Sequence, residues 1–263
     1  MKQGVYQQST TQKYPIGLRV PKDDWVFRYC HAETALRPLI DGMNGNLVSI
    51  RGDTPAVIYP AGSRQIAIPM NPHSVHYVDE QKVDYWKGGK IWIMTEPWSP
   101  AVTGAGQFYQ IKSSAPAVGG FVTLTLEDPL IQDVPADVEV NVWPNIYSNI
   151  VGIPSPFGGE ARMSLVCVPL IPVTLGNYFW GLTWGPLMAH CGYSPGRAEN
   201  DREMYWMANH YGCVPGTEVD FSTAGNAIPQ RVGYVLTNTS PWTNMAGAAQ
   251  LGSDNLFMLQ LSP

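Results

Sequence analysis

Apolar and polar residues alternate with a period of two along much of this chain, and that period predicts β-strands. Val122, Leu124 and Leu126 share one face of a predicted strand, while Phe121, Thr123 and Thr125 take the other. Gly119 and Gly120 precede that strand, and Asp128 and Pro129 end it. Val138, Val140 and Val142 repeat the pattern, as do Phe257, Leu259 and Leu261 near the last residues. Residues 231–238 also read as a strand, and so do residues 162–173, where Pro169 and Pro172 mark an edge strand or a bulge. Helix signals are few. A turn or two fits between Glu33 and Met43, limited by Pro38 and Gly42, and residues 197–210 carry moderate helix propensity.

The stretch YFWGLTWGP, Tyr178 to Pro186, concentrates aromatics without a single charge. A strand period places Tyr178, Trp180, Leu182 and Trp184 on one large face, and Phe179, Gly181, Thr183 and Gly185 on the other. The large face reads as core, and the small residues opposite would let another backbone or subunit approach closely. The expected fold is all-β: a β-sandwich or jelly-roll-like domain with an extended N-terminal arm and few short helices. The expected division is an arm and first strand over 1–30, a smaller loop-rich region over 31–105, and a main sandwich or barrel over 106–263. A boundary is expected near residues 95–106, and an insertion near 188–216.

Composition agrees with a turn-rich chain of short strands. There are 26 glycines and 23 prolines in 263 residues, and 14% of residues are charged, against roughly 25% in an average globular protein. The hydrophobic fraction of 44%, with 9 Trp and 13 Tyr, argues for a packed core rather than disorder. The net charge of -5, with no basic stripe, argues against a nucleic-acid partner. The first residues lack an apolar signal core, and no stretch reaches the ~18 apolar residues of a membrane helix. The expectation is a chain made and kept in a cytoplasm, with no membrane partner.

Candidate chemistry is sparse. Cys30, Cys167, Cys191 and Cys213 show no CxxC spacing and read as buried small hydrophobes. His190 or Cys191 with His210 and Cys213 is a weak zinc pattern, because adjacent His190 and Cys191 would not readily face one ion. No nucleophile elbow or phosphate loop occurs. Asp128, Asp133 and Glu139 could serve a glycosidase pair but read better as solvated turn residues. The tripeptide Arg51-Gly52-Asp53 reads as a turn between strands, and Asn238-Thr239-Ser240 as a polar turn. No enzymatic activity, metal or cofactor is expected.

Several segments together carry a family likeness. GQFYQIKSSAPAVGGFVTLTLEDPL (106–130), VNVWPNIYSNIV (140–151) and NYFWGLTWGP (177–186) follow GVYQQSTTQKYPIGLRV (4–20) and DDWVFRY (23–29), and LFMLQL (256–261) closes the series. In this order they resemble tailed-bacteriophage virion proteins of the capsid decoration or cement type. Residues 58–90 and 188–216 depart from that pattern. The resemblance implies a non-enzymatic protein of the virion surface, assembled in the bacterial cytoplasm. It would bind the outside of the assembled major capsid protein lattice, as a homotrimer at local three-fold positions. Within the arm, Val5, Tyr6, Tyr14 and Ile16 are the expected anchors on the capsid or a neighbouring subunit. A receptor-binding or lectin-like tail-associated protein is the alternative, with Trp98, Trp206 or Trp242 exposed on loops.

Overall fold

A computed structural model describes residues 2–44, 50–53, 57–70, 81–94, 106–136, 138–152, 164–191, 202–207, 212–215, 230–237 and 253–262. All regular structure among them is β. The strands are β1 (Arg19–Lys22), β2 (Trp25–His31), β3 (Met43–Asn44), β4 (Ile50–Asp53), β5 (Gln65–Pro69), β6 (Lys90–Met94), β7 (Gly106–Ser114) and β8 (Phe121–Leu126). They continue with β9 (Glu139–Trp143), β10 (Ile150–Val151), β11 (Val168–Pro169), β12 (Tyr178–Cys191), β13 (Glu203–Met207), β14 (Gly212–Pro215), β15 (Gln230–Thr237) and β16 (Ser253–Gln260). The all-β, sandwich-like expectation holds, with curled and mainly antiparallel sheets.

The chain divides into two compact units, and neither boundary falls at residues 95–106. One unit joins residues 1–47 to residues 147–263; the other is the insert between them, 48–146. The expected boundary lies inside the insert instead, because β6 and β7 on either side of it are antiparallel partners, with Met94 opposite Gly106. The insert is a six-stranded sheet in the order β4-β9-β6-β7-β8-β5. Its inward residues alternate as the sequence pattern requires: Val122, Leu124 and Leu126 on β8, Val140 and Val142 on β9, and Ile91 and Ile93 on β6 are fully buried. Arg51, Gly52 and Asp53 lie in β4, paired with β9 rather than turning between strands.

In the first unit the long strand β12 is the organising element. Its first half pairs with β2 and β11, and its second half with β16. The pairings β12–β16–β15–β13–β14–β12 close a ring, in which only β12–β14 is parallel. The residues expected to form an excursion over 188–216 therefore continue this sheet where they are described. Residues 203–207, within the segment of moderate helix propensity over 197–210, form β13, because Met204 and Trp206 alternate into the core. No helix forms between Glu33 and Met43 either. Leu36 bridges Val173 there, and Arg37 and Asp41 close a turn through an ion pair at 2.9 Å.

Over its first residues, Tyr178 to Thr183, both faces of β12 are covered by the chain itself. Trp180 and Leu182 enter one core with Phe27, Tyr29, Phe257 and Leu259, and Tyr178 packs half-buried against it. Phe179 enters a second core with Cys30, Cys167 and Tyr147. The small residues of this face do admit a close approach, and it comes from the chain's own backbone: a Cβ at Gly185 would lie 2.5 Å from the Asp24 carbonyl oxygen. Trp184 departs from its expected place. The register shifts between Leu182 and Trp184, and one extra residue in a strand moves the inward set to the other parity. Thr183 is fully buried at the shift, and its hydroxyl donates to the Val26 carbonyl at 3.2 Å and the Ser262 carbonyl at 2.7 Å. Leu187 rather than Trp184 then joins the core.

Candidate functional site

The arm is the first candidate, and the structure docks it on its own unit. Gln3 and Val5 are buried, at 3% and 4% exposure. Tyr14 packs edge-on against Tyr29 at 5.3 Å and tilted against Trp180 at 5.2 Å, and Ile16 packs half-buried against both cores. Ser9 and Tyr178 exchange backbone hydrogen bonds at 3.0 and 2.8 Å. The indole Nε1 of Trp180 donates to the Gln3 carbonyl at 3.0 Å. Val5, Tyr14 and Ile16 are therefore internal anchors, placed there because two large aromatics need both apolar cover and hydrogen-bond acceptors. Tyr6 alone of the four is exposed, with the Lys22 ammonium 5.7 Å from its ring centre.

The outward face of the insert's sheet is the stronger candidate. Strand alternation turns Lys90 and Trp92 outward on β6, Gly106, Phe108, Gln110 and Lys112 on β7, and Glu139, Asn141 and Trp143 on β9. Trp92 stands between Phe108 and Asn141 in register, and Lys90 between Gln110 and Trp143. Phe108 is 60% exposed and Trp143 38% exposed. A Cβ at Gly106 would lie 2.2 Å from Trp92 Nε1, so the indole lies across this glycine on the sheet surface. Lys90 Nζ donates to Gln110 Oε1 at 2.9 Å, and Asn141 Nδ2 to Glu139 Oε1 at 3.4 Å. The result is a two-row surface in which the exposed rings of Phe108 and Trp143 flank a half-buried Trp92 that also packs against the insert's core, interleaved with amides and charges.

One end of the same unit is held by buried polar groups. The Tyr109 hydroxyl donates to Gln107 Oε1, and the backbone N–H of Ile131 donates to that hydroxyl at 2.8 Å and to Gln107 Oε1 at 3.0 Å. Gln107 Nε2 returns a bond to the Gln132 carbonyl at 3.1 Å. This fixes a loop whose Ile131 side chain is 78% exposed. The amide N–H of Ala61 donates to Asp133 Oδ1 at 2.7 Å, which gives that carboxylate a turn-closing role.

Of the other expected residues, Trp206 is buried at 2% exposure in β13, not on a loop. Trp98 and Trp242 lie outside the described residues, as do His210 and residues 238–240. Cys191 and Cys213 are register partners of β12 and β14. Among the described residues no three His, Cys, Asp or Glu side chains gather as a metal site. The sequence signal for the outward face was present: with Val138, Val140 and Val142 inside, Glu139, Asn141 and Trp143 must face out. No protein-family model, curated protein or solved structure matches the chain.

Proposed function

We propose that the chain is a non-enzymatic virion structural protein that binds the outside of an assembled phage capsid and stabilises the major capsid protein lattice. The ordered motif series supports this reading. The observation that carries it is the outward aromatic face: Phe108 and Trp143 stay exposed, in rows shared with Trp92, although the insert has a complete core without them. Exposed aromatics grouped on one surface are the usual mark of a protein contact. A protein that binds the assembled lattice and not free subunits stabilises the lattice by mass action, and a trimer would add avidity. With the arm docked on its own unit, the sheet face takes over as the capsid-contacting surface.

The test is co-sedimentation of the purified chain with assembled empty capsids and with unassembled capsid protein. Binding to shells alone, lost at least tenfold in Phe108→Ser/Trp143→Ser, is expected. Failure to bind shells overturns the reading. The same face favours one second reading, a receptor-binding or lectin-like protein. Aromatic rings next to Gln110, Asn141 and Lys90 suit a saccharide, whose C–H faces stack on rings while its hydroxyls bond to amides. Glycan-array binding without capsid affinity would select it.

A further inference from the structure

Cys30 and Cys167 meet across a strand that separates them. Cys30 on β2 stands opposite Phe179, and Cys167 immediately precedes β11, whose Val168 stands opposite Leu182. Their Sγ atoms are 3.7 Å apart, neither residue has exposed surface, and both are free thiols. The residue beneath them is Gly181. A Cβ there would lie 2.6 Å from both Cβ and Sγ of Cys167, and 3.2 Å from Sγ of Cys30. Only a residue without a side chain lets the two sulfurs come together over β12.

We infer that Cys30 and Cys167 form a latent staple, a modification site that closes to a disulfide when the chain meets a small oxidised disulfide. A disulfide bond is about 2.05 Å long, so the sulfurs need to close by less than about 2 Å. The bond would tie β2 to the segment before β11 across β12, joining positions 137 residues apart. While β11 stays paired, burial holds the Cys167 thiol well above its usual range, so the reactive thiolate is scarce. Access comes through β11, which has two residues, includes Pro169 and is followed by Pro172. Opening it breaks the bonds from the Val166 and Cys167 N–H groups to the Gly42 carbonyl and from the Leu39 N–H to the Pro169 carbonyl, and leaves the β2–β12 pairing in place.

The chemistry balances with one small disulfide as oxidant. The Cys167 thiol loses its proton, and its sulfur attacks the small disulfide, releasing one thiolate. The Cys30 sulfur, also deprotonated, then attacks Cys167 Sγ in the mixed disulfide and releases the second thiolate. The two protons from the cysteines go to the two released thiolates. Two electrons pass from the cysteine pair to the small molecule.

The test incubates the full chain with oxidised glutathione, quenches it in denaturant with N-ethylmaleimide, and maps the peptides. A Cys30–Cys167 cross-linked peptide is expected, lighter by two hydrogens than its parts. Tm should rise by about 5 °C or more and return on adding dithiothreitol. Cys191→Ser/Cys213→Ser should keep both effects, and Cys30→Ser should lose both. Comparing each variant before and after oxidation removes any effect of the substitution on folding. Recovery of Cys30 and Cys167 as N-ethylmaleimide or glutathione adducts alone overturns the inference. So does a cross-link that leaves Tm unchanged.

Discussion

The hydroxyl of Tyr29 donates to the side-chain oxygen of Gln3 at 2.8 Å, so a residue three positions into the chain satisfies a polar group in the core of the first unit. The same hydroxyl accepts the Lys13 backbone N–H at 3.1 Å. Around it Trp180 stands edge-on at 4.9 Å and Tyr178 stacks at 6.0 Å. The arm is therefore part of the fold. Removing it uncovers aromatic surface and takes acceptors from Tyr29 and Trp180 together.

Deleting residues 1–17 should lower thermal stability sharply rather than leave an intact domain. Val5→Ala alone should cost about 2 kcal/mol, and Gln3→Ala about 1–2 kcal/mol through the stranded Tyr29 hydroxyl. Thermal melts followed by near-ultraviolet circular dichroism check this. A truncated chain that melts with the full one would show that the docking carries no stability.

Gly181→Ala should destabilise by about 2 kcal/mol or more, because the new methyl meets Cys167 at 2.6 Å. Cys167→Ala in the same chain removes the sulfur on one side of that clash. The double variant should therefore lose less than the sum of the two single changes. Urea titrations of the four proteins measure the coupling, and strict additivity would count against the close approach.

Tyr109→Phe removes the hydroxyl shared by Gln107 and the Ile131 amide while leaving the ring in place. The expected cost is about 1–2 kcal/mol. The local effect should be larger than the global one: amide exchange at Ile131 should quicken while that of the β8 interior stays unchanged. Equal protection at Ile131 in both proteins would refute its tethering role.

Burial raises the phenol ionisation of Tyr29, Tyr147 and Tyr178 above the usual 10.0. In the unfolded chain these groups ionise at the usual value, so the folded state binds more protons above it. Their contribution is fully present below pH 10.0 and is lost as pH rises through the higher folded values. Tm should fall steeply above that pH, and part of the phenolate absorbance should appear only with unfolding. Free titration of all 13 tyrosines before any loss of structure would contradict it.

Period-two alternation located β8, β9 and β16 well, because one face of each is buried and the other is not. Val122, Leu124 and Leu126 could be assigned inward from the sequence for that reason. In β12 the same rule held for Trp180 and Leu182 and failed beyond them, since the shift before Trp184 reverses the parity and no local residue pattern announces it. Trp143 was readable as outward by its spacing from Val142. That it shares a surface with Trp92 and Phe108 depends on which strands pair.

Sequence alone determined the all-β class, most inward positions and the scarcity of catalytic motifs, because these follow from local alternation and residue type. Tertiary structure decided the rest. The arm reads as a polar tail with a few apolar residues, and only the distant partners Tyr29, Tyr178 and Trp180 turn it into a packed edge. Cys30 and Cys167 are unremarkable along the chain and meet only because Gly181 leaves room between β2 and the segment before β11, which do not pair with each other. Contacts over such separations are set by sheet order and register, which no window of neighbouring residues contains.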